Sequence, residues 1–234
     1  MLAILKRELK AYFASPIGYI FLAVFCLFAG LFFFAGCISN ASSDISVVFS
    51  SMFTITLFLM PILTMRLLSE ERKQKTDQAL LTAPVNLFGL VMGKFLAALL
   101  LFTIALGVTV LMVLLLATMG SVEWAKFFGN FLGLFLVGAS LISIGLFISS
   151  LTENQVIAAV GSFAVMLALY MLDGVSSLIN NSVVKTIVDS ISISQRYSDF
   201  TMGVFNFANA IFFLSIISIF IFFTIRVFEK RRWG

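Results

Sequence analysis

The chain has 234 residues, 61% of them hydrophobic and 11% charged, with 28 Phe, a formal net charge of +4 and a mean hydropathy of +1.13. Soluble domains carry roughly a quarter charged residues, so a water-soluble globule is excluded. The basic residues sit beside apolar segments, which points to membrane orientation rather than to nucleic acid.

At the start, Leu2, Leu5, Leu9 and Phe13 recur at helical spacing, with Lys6 and Lys10 on another face. That pattern predicts a helix lying along a membrane surface over residues 1–16. Ser15 followed by Pro16 marks a fresh helix start, because Pro needs no amide partner in a first turn. Residues 17–234 then form one membrane domain. The opening also resembles a lipoprotein signal, with "FAGC" ending at Cys37 before a polar stretch. Its apolar run of about 20 residues exceeds the ~7–15 of a signal core, and Phe34 stands where an aliphatic residue is usual, so no cleavage is expected. Cys26 and Cys37 share this run. Eleven helical residues separate them by about 16 Å, too far for a disulfide.

Charge-free windows predict six spans: Ile17–Ile38, Val47–Met65, Phe95–Met119, Phe127–Leu151, Val156–Leu172 and Phe207–Val227. Backbone groups find no water in lipid, so each span is a helix and the fold class is an all-α integral membrane protein. An even count places both termini on one side. That side holds Lys6, Arg7, Lys10, Arg66, Arg72, Lys73, Lys75, Lys94, Arg226, Lys230, Arg231 and Arg232, against Lys126, Lys185 and Arg196 on the other. The imbalance makes the terminal side cytoplasmic. In the second span, Pro61 is placed to bend the helix. Phe in the first and last spans reads as lipid-facing bulk. The longer outer connection, 174–206, places Val184, Ile187 and Ile191 on one helical face, either as a cap over a pathway or as an interfacial loop. In the fourth span Gly129 and Gly133, continued by Gly138, Ala139 and Ser143, let helices approach closely. Packing within one chain is the simpler use of them, and a seam between chains the other.

Apart from Arg226, one residue inside the cytoplasmic end of the last span, no Asp, Glu, Lys, Arg or His falls between the predicted span ends, Lys94, Glu153 and Asp173 lying at boundaries. A proton-driven carrier needs a titrating group in its path, so that class is disfavoured. Without histidine there is no Ser–His protease dyad and no bis-histidine haem, and two remote cysteines make no metal site. "GLVMGKF" at 89–95 lacks the spacing and the Ser or Thr of a P-loop; Gly93-Lys94 reads as a close-packing turn with a snorkelling lysine. No catalytic, cofactor-binding or metal-binding residue is therefore assigned, and energy for uphill movement must come from a partner.

The cytoplasmic connection 66–94 contains "SEERKQKTDQALLTAPV", residues 69–85, with six charges: Glu70, Glu71, Arg72, Lys73, Lys75 and Asp77. Ser69 is placed to cap a helix and Pro84 to stop it. Thr76, Leu80 and Leu81 form a small apolar ridge among the charges. A short amphipathic helix facing the cytoplasm follows.

This run, extended through "NLFGLVMGKFLAALL", resembles the permeases of ABC type-2 transporters, and the gliding-motility-type subgroup in particular. Glu70, Glu71, Arg72, Thr76, Leu80, Leu81, Pro84, Gly93, Lys94 and Phe95 carry the match; Lys75 and Gln78 depart from it, where Gly and Glu are usual. "SSLTENQVIAA", "ISQRYSDFTMGV" and "EKRRW" agree in the same order. The resemblance implies a non-catalytic permease subunit of an exporter in a bacterial cytoplasmic membrane. It implies that Glu70, Glu71, Arg72, Thr76, Gln78, Leu80, Leu81 and Pro84 form a coupling helix seated on a separate ATPase. Glu153 and Asn154 are then secondary contacts, and ATP and Mg bind on the partner. A second permease chain, identical or related, and membrane lipid complete the partners, with no nucleic acid. Two further readings stay open: a membrane anchor that recruits a soluble protein without transport, and a passive channel or carrier.

Overall fold

The structure, a computed structural model, describes residues 1–75, 86–120, 122–176, 185–186 and 190–233. Among the described residues it is helical throughout, with no strand. The order is α1 (Leu2–Ala14), α2 (Pro16–Phe33, continued by a π turn over Phe34–Ile38), α3 (Ser46–Thr64), α4 (Ser69–Lys73), α5 (Leu87–Met119), α6 (Trp124–Leu151), α7 (Gln155–Ser176), α8 (Ile193–Thr201) and α9 (Phe207–Trp233). Six of these segments are long and apolar enough to cross a membrane. They correspond one for one to the six predicted spans.

Local chemistry sets the ends. Ser15 is extended and Pro16 opens α2, where its missing N–H costs nothing. The Asn86 side chain accepts from Phe88 N at 3.0 Å and starts α5. Asn154 Oδ1 accepts from Val156 N at 2.9 Å and starts α7. α3 runs on through Pro61 to Thr64. One boundary differs from expectation: α5 begins at Leu87 rather than Phe95, so Gly93 and Lys94 lie inside a helix and not in a turn.

α6 is the central helix, and it packs on α3, α5, α7, α8 and α9. Its small residues are the reason. A side chain at Gly129 or Gly133 would collide with Phe200, Tyr197 or Gly203 in and after α8; one at Gly138 would strike Phe102 of α5, and one at Gly145 would strike Thr64 of α3. Gly129 and Gly133 thus serve packing within the chain. Phenylalanine divides by face rather than by span. Phe21, Phe25 and Phe33 of α2 point into the core with Ala29, whereas Phe34 on the π turn and Phe222 and Phe223 of α9 are exposed. The expectation of lipid-facing bulk therefore fails for half of the first span. A four-residue spacing from Phe21 to Phe33 puts them on one stripe.

Packing at α6 predicts a graded outcome. Gly145→Val, which drives methyl groups into Thr64, costs about 1–3 kcal/mol of stability, whereas Gly107→Val, with open space around it, costs little. Thermal unfolding of the purified protein in detergent distinguishes the two.

Candidate functional site

Contacts among distant segments show that both termini lie at one end of the bundle. Arg7 near the start reaches Glu71 of α4 at 2.5 Å, Arg72 of α4 reaches Glu153 before α7 at 3.2 Å, and Arg231 near the end of α9 donates to the Ser150 carbonyl. At this end lies a cavity of about 270 Å³ lined by Arg7, Glu8, Tyr12, Arg66, Glu70, Glu71 and Lys94, among others.

Its centre is a four-membered charge cluster. The Lys94 ammonium, 1% exposed, sits 3.1 Å from Glu8 Oε1 and 3.1 Å from Glu71 Oε1. Arg7 touches both carboxylates, Glu8 at 2.8 Å and Glu71 at 2.5 Å. Two cations face two carboxylates, so the net charge is zero. Lys94 does not snorkel, contrary to the sequence expectation. Its stem comes from α5 beneath α1, where a Cβ on Gly93 would meet Ile4 and the Met1 carbonyl. α1 therefore lies too close over this turn of α5 for the lysine to escape past it. Burial works to raise the Glu8 carboxyl; the Lys94 charge and hydrogen bonds from Arg7 and Lys94 outweigh it and hold the group below the usual carboxylate range.

A second set of contacts anchors the corner between α1 and α2. The Tyr12 hydroxyl, buried and pushed far up in pKa by that burial, donates to the Leu63 carbonyl at 3.0 Å. Arg66 donates to Ser15 Oγ at 2.7 Å, pairs with Glu70 at 2.9 Å, and lies 5.8 Å from the Tyr12 ring centroid.

α4 itself is started from outside. Ser149 Oγ of α6 accepts from Leu68 N and Ser69 N, both at 3.1 Å, and donates to the Met65 carbonyl at 3.0 Å. Ser69, expected to cap, instead turns its hydroxyl back to Met65 O. A first helical turn needs acceptors for its free N–H groups, and here a residue 80 positions downstream supplies one.

Of the sequence-derived residues, the structure brings Glu70, Glu71, Arg72 and Glu153 together at this end. Asn154 is adjacent and acts as the α7 cap. Thr76, Gln78, Leu80, Leu81 and Pro84 lie outside the described residues, as do Val184 and Ile187 of the outer connection. Gly129 and Gly133 belong to the opposite end, against α8. Glu8, Lys94, Tyr12 and Ser149 escaped the sequence reading as site residues. Lys94 left a signal there as a snorkelling lysine within the family match, and Ser149 as the first residue of "SSLTENQVIAA". No group of His, Cys, Asp and Glu able to hold a metal occurs among the described residues.

A family model for the ABC-2 type transporter matches residues 1–185. The chain belongs to the ABC-2 type transporter family. The match takes in α1, the whole charge cluster and five of the six spans, so the site lies inside the part that defines membership. This permease is accordingly a multi-pass membrane component of ABC-type transport. Comparison with curated proteins gives no match.

The cluster makes two predictions for the permease. Glu8→Gln combined with Glu71→Gln strands a buried cation and destabilises the fold by about 3–5 kcal/mol; adding Lys94→Met to that pair recovers most of the loss, as thermal melting in detergent will show. Because the Glu8 pKa is depressed on folding, its contribution is present above the unfolded value of about 4.3 and is lost as pH falls through the folded one. Protection factors of the α1 amides, which divide out the pH dependence of intrinsic exchange, are therefore high at about pH 5 and fall well below about pH 4.

Proposed function

We propose that this permease is the transmembrane subunit of an ATP-driven exporter in a bacterial cytoplasmic membrane, paired with a second permease chain and worked by a separate ATPase. ATP and Mg bind on that ATPase, since this chain has neither a P-loop nor any other nucleotide motif. The gliding-motility-type subgroup is the closer placement that the "SQRYSDF" and "EKRRW" stretches favour.

One observation carries the reading. The strip that leaves α3 is bound at its root to four other elements: α1 and α5 through the Glu8–Lys94–Glu71–Arg7 cluster, α6 through Ser149, and the α7 start through Glu153. A load applied to a coupling helix formed by residues 69–85 would reach several spans at once rather than α3 alone. The bundle end concerned carries twelve of the fifteen Lys and Arg, which supports its lying on the cytoplasmic side, where an ATPase could reach it. α1 then lies at the inner membrane surface.

Two experiments test this. With the native ATPase, Leu80→Asp or Leu81→Asp is expected to abolish co-purification and transport; an unchanged complex with unchanged ATPase stimulation rejects the coupling role. ATP-dependent transport that never appears despite a stable complex would favour the anchor, and conduction by the permease alone would favour the channel. For orientation, Lys73→Cys and Glu123→Cys in a Cys26→Ala/Cys37→Ala background are expected to label from opposite faces, Lys73→Cys only from the cytoplasmic one.

A further inference from the structure

At the end of the bundle away from the termini, one face of α8 confronts one face of α3. Ser194, Tyr197, Ser198 and Thr201 follow helical spacing on α8, and Ser50, Phe53 and Thr54 do so on α3. With Tyr170 of α7 they line an open recess of about 230 Å³. Its floor is fixed. Phe53 and Tyr197 stack at 4.9 Å with an 11° interplanar angle, the Tyr197 hydroxyl donates to the Phe49 carbonyl, and Ser46 Oγ donates to the Thr201 carbonyl. Tyr170 stands beside Phe53 at 6.4 Å and is 40% exposed.

Two features define what fits. No charged residue lines the recess; Arg196 and Asp199, on the same helix, are engaged with Asn209 of α9. An ionic ligand would lose its hydration without a counter-charge. Hydroxyls, by contrast, are abundant. Ser198 and Thr201 satisfy their donors on α8 carbonyls and keep acceptor capacity, while Ser50, Thr54, Ser194 and Tyr170 make no hydrogen bond with the described residues. A lipid tail would leave those four hydroxyls dry and unmatched, at about 1–3 kcal/mol each.

We infer that this recess binds a neutral polyhydroxylated ring, one sugar unit of an oligosaccharide, with Tyr170 stacking on its apolar face and the α3 and α8 hydroxyls meeting its rim. Such a ring offers paired donors and acceptors at its edge and C–H groups on its face, matching the two kinds of lining. The volume lies below the ~300–1,000 Å³ of sites that enclose a drug-sized ligand, so a single ring enters and the rest of the chain stays outside. The inference rests on the exporter reading and names the substrate class for it, a neutral glycan.

The test uses the full-length permease in nanodiscs without the ATPase, with maltotriose, cellotriose and triacetylchitotriose as neutral probes and trigalacturonate as the anionic one. Saturation-transfer NMR is expected to show saturable binding of at least one neutral trisaccharide. Tyr170→Ala and Ser50→Ala/Thr54→Ala should each weaken it at least tenfold, and Tyr170→Phe, which keeps the ring and preserves packing, should weaken it less than Tyr170→Ala. Trigalacturonate should bind at least tenfold more weakly than the best neutral probe. The inference is overturned if none of the three neutral probes binds, if the variants bind as the parent does, or if trigalacturonate binds equally well. Retention of the ATPase by the same variants reports on the exporter reading separately, because no recess residue lies at the terminal end.

Discussion

A lysine ammonium with almost no exposure, on a helix that goes on to cross the membrane, has to be neutralised by carboxylates held at contact distance. Lys94 meets that demand with Glu8 and Glu71, which stand 63 positions apart in the sequence with α2 and α3 between them, and which Arg7 joins. The demand organises the terminal end. α1 has to lie over α5 to bring Glu8 in, α4 has to follow α3 after only the four-residue turn 65–68 to bring Glu71 in, and Gly93 has to remain bare for α1 to approach. Buried ion pairs add little net stability compared with an apolar replacement, yet are costly to break. The cluster therefore specifies one arrangement of three helices more than it strengthens them.

The opposite end is built on another principle. There, Asn130 donates to the Lys126 carbonyl at 2.8 Å and to Ser46 Oγ and the Thr201 carbonyl at 3.3 Å each, pinning α6 to α3 and α8. Neutral amides and hydroxyls do the work that ion pairs do at the terminal end. α6 joins the two regions, reaching from Asn130 at one end to Ser149 at the other, and its small side chains allow five neighbours to close on it. A rigid shaft with polar fastenings at both ends suits a membrane transport component in which events at one face must be felt at the other.

Span number, fold class and most helix ends were legible in the sequence because each follows from local rules: charge-free windows and Pro at a first helical turn. The α5 start was missed for a physical reason. Lys94 interrupts hydropathy, so a window method begins after it, whereas a neutralised lysine is no obstacle to a helix. Ser69 was misread because capping was sought locally, while Ser149 arrives from α6 through tertiary structure. The division of Phe between core and lipid depends on which face of α2 meets α3 and α5, and composition holds no record of that. Of the candidate site, the charges of the strip were visible and their partners were not: a run of Glu, Arg and Lys reads as solvated, and only the fold reveals that Glu71 turns inward.

If α1, α4 and the start of α5 form one body, that body should move as a unit when a partner works on it. Pulsed electron–electron resonance between spin labels at Lys6 and Lys73, recorded in the permease–ATPase complex with and without ATP, measures this directly. The account predicts a Lys6–Lys73 distance that stays fixed while the distance from Lys73 to a label at Phe128, at the far end of α6, changes. A Lys6–Lys73 distance that shifts with ATP while the cluster residues are intact would contradict it.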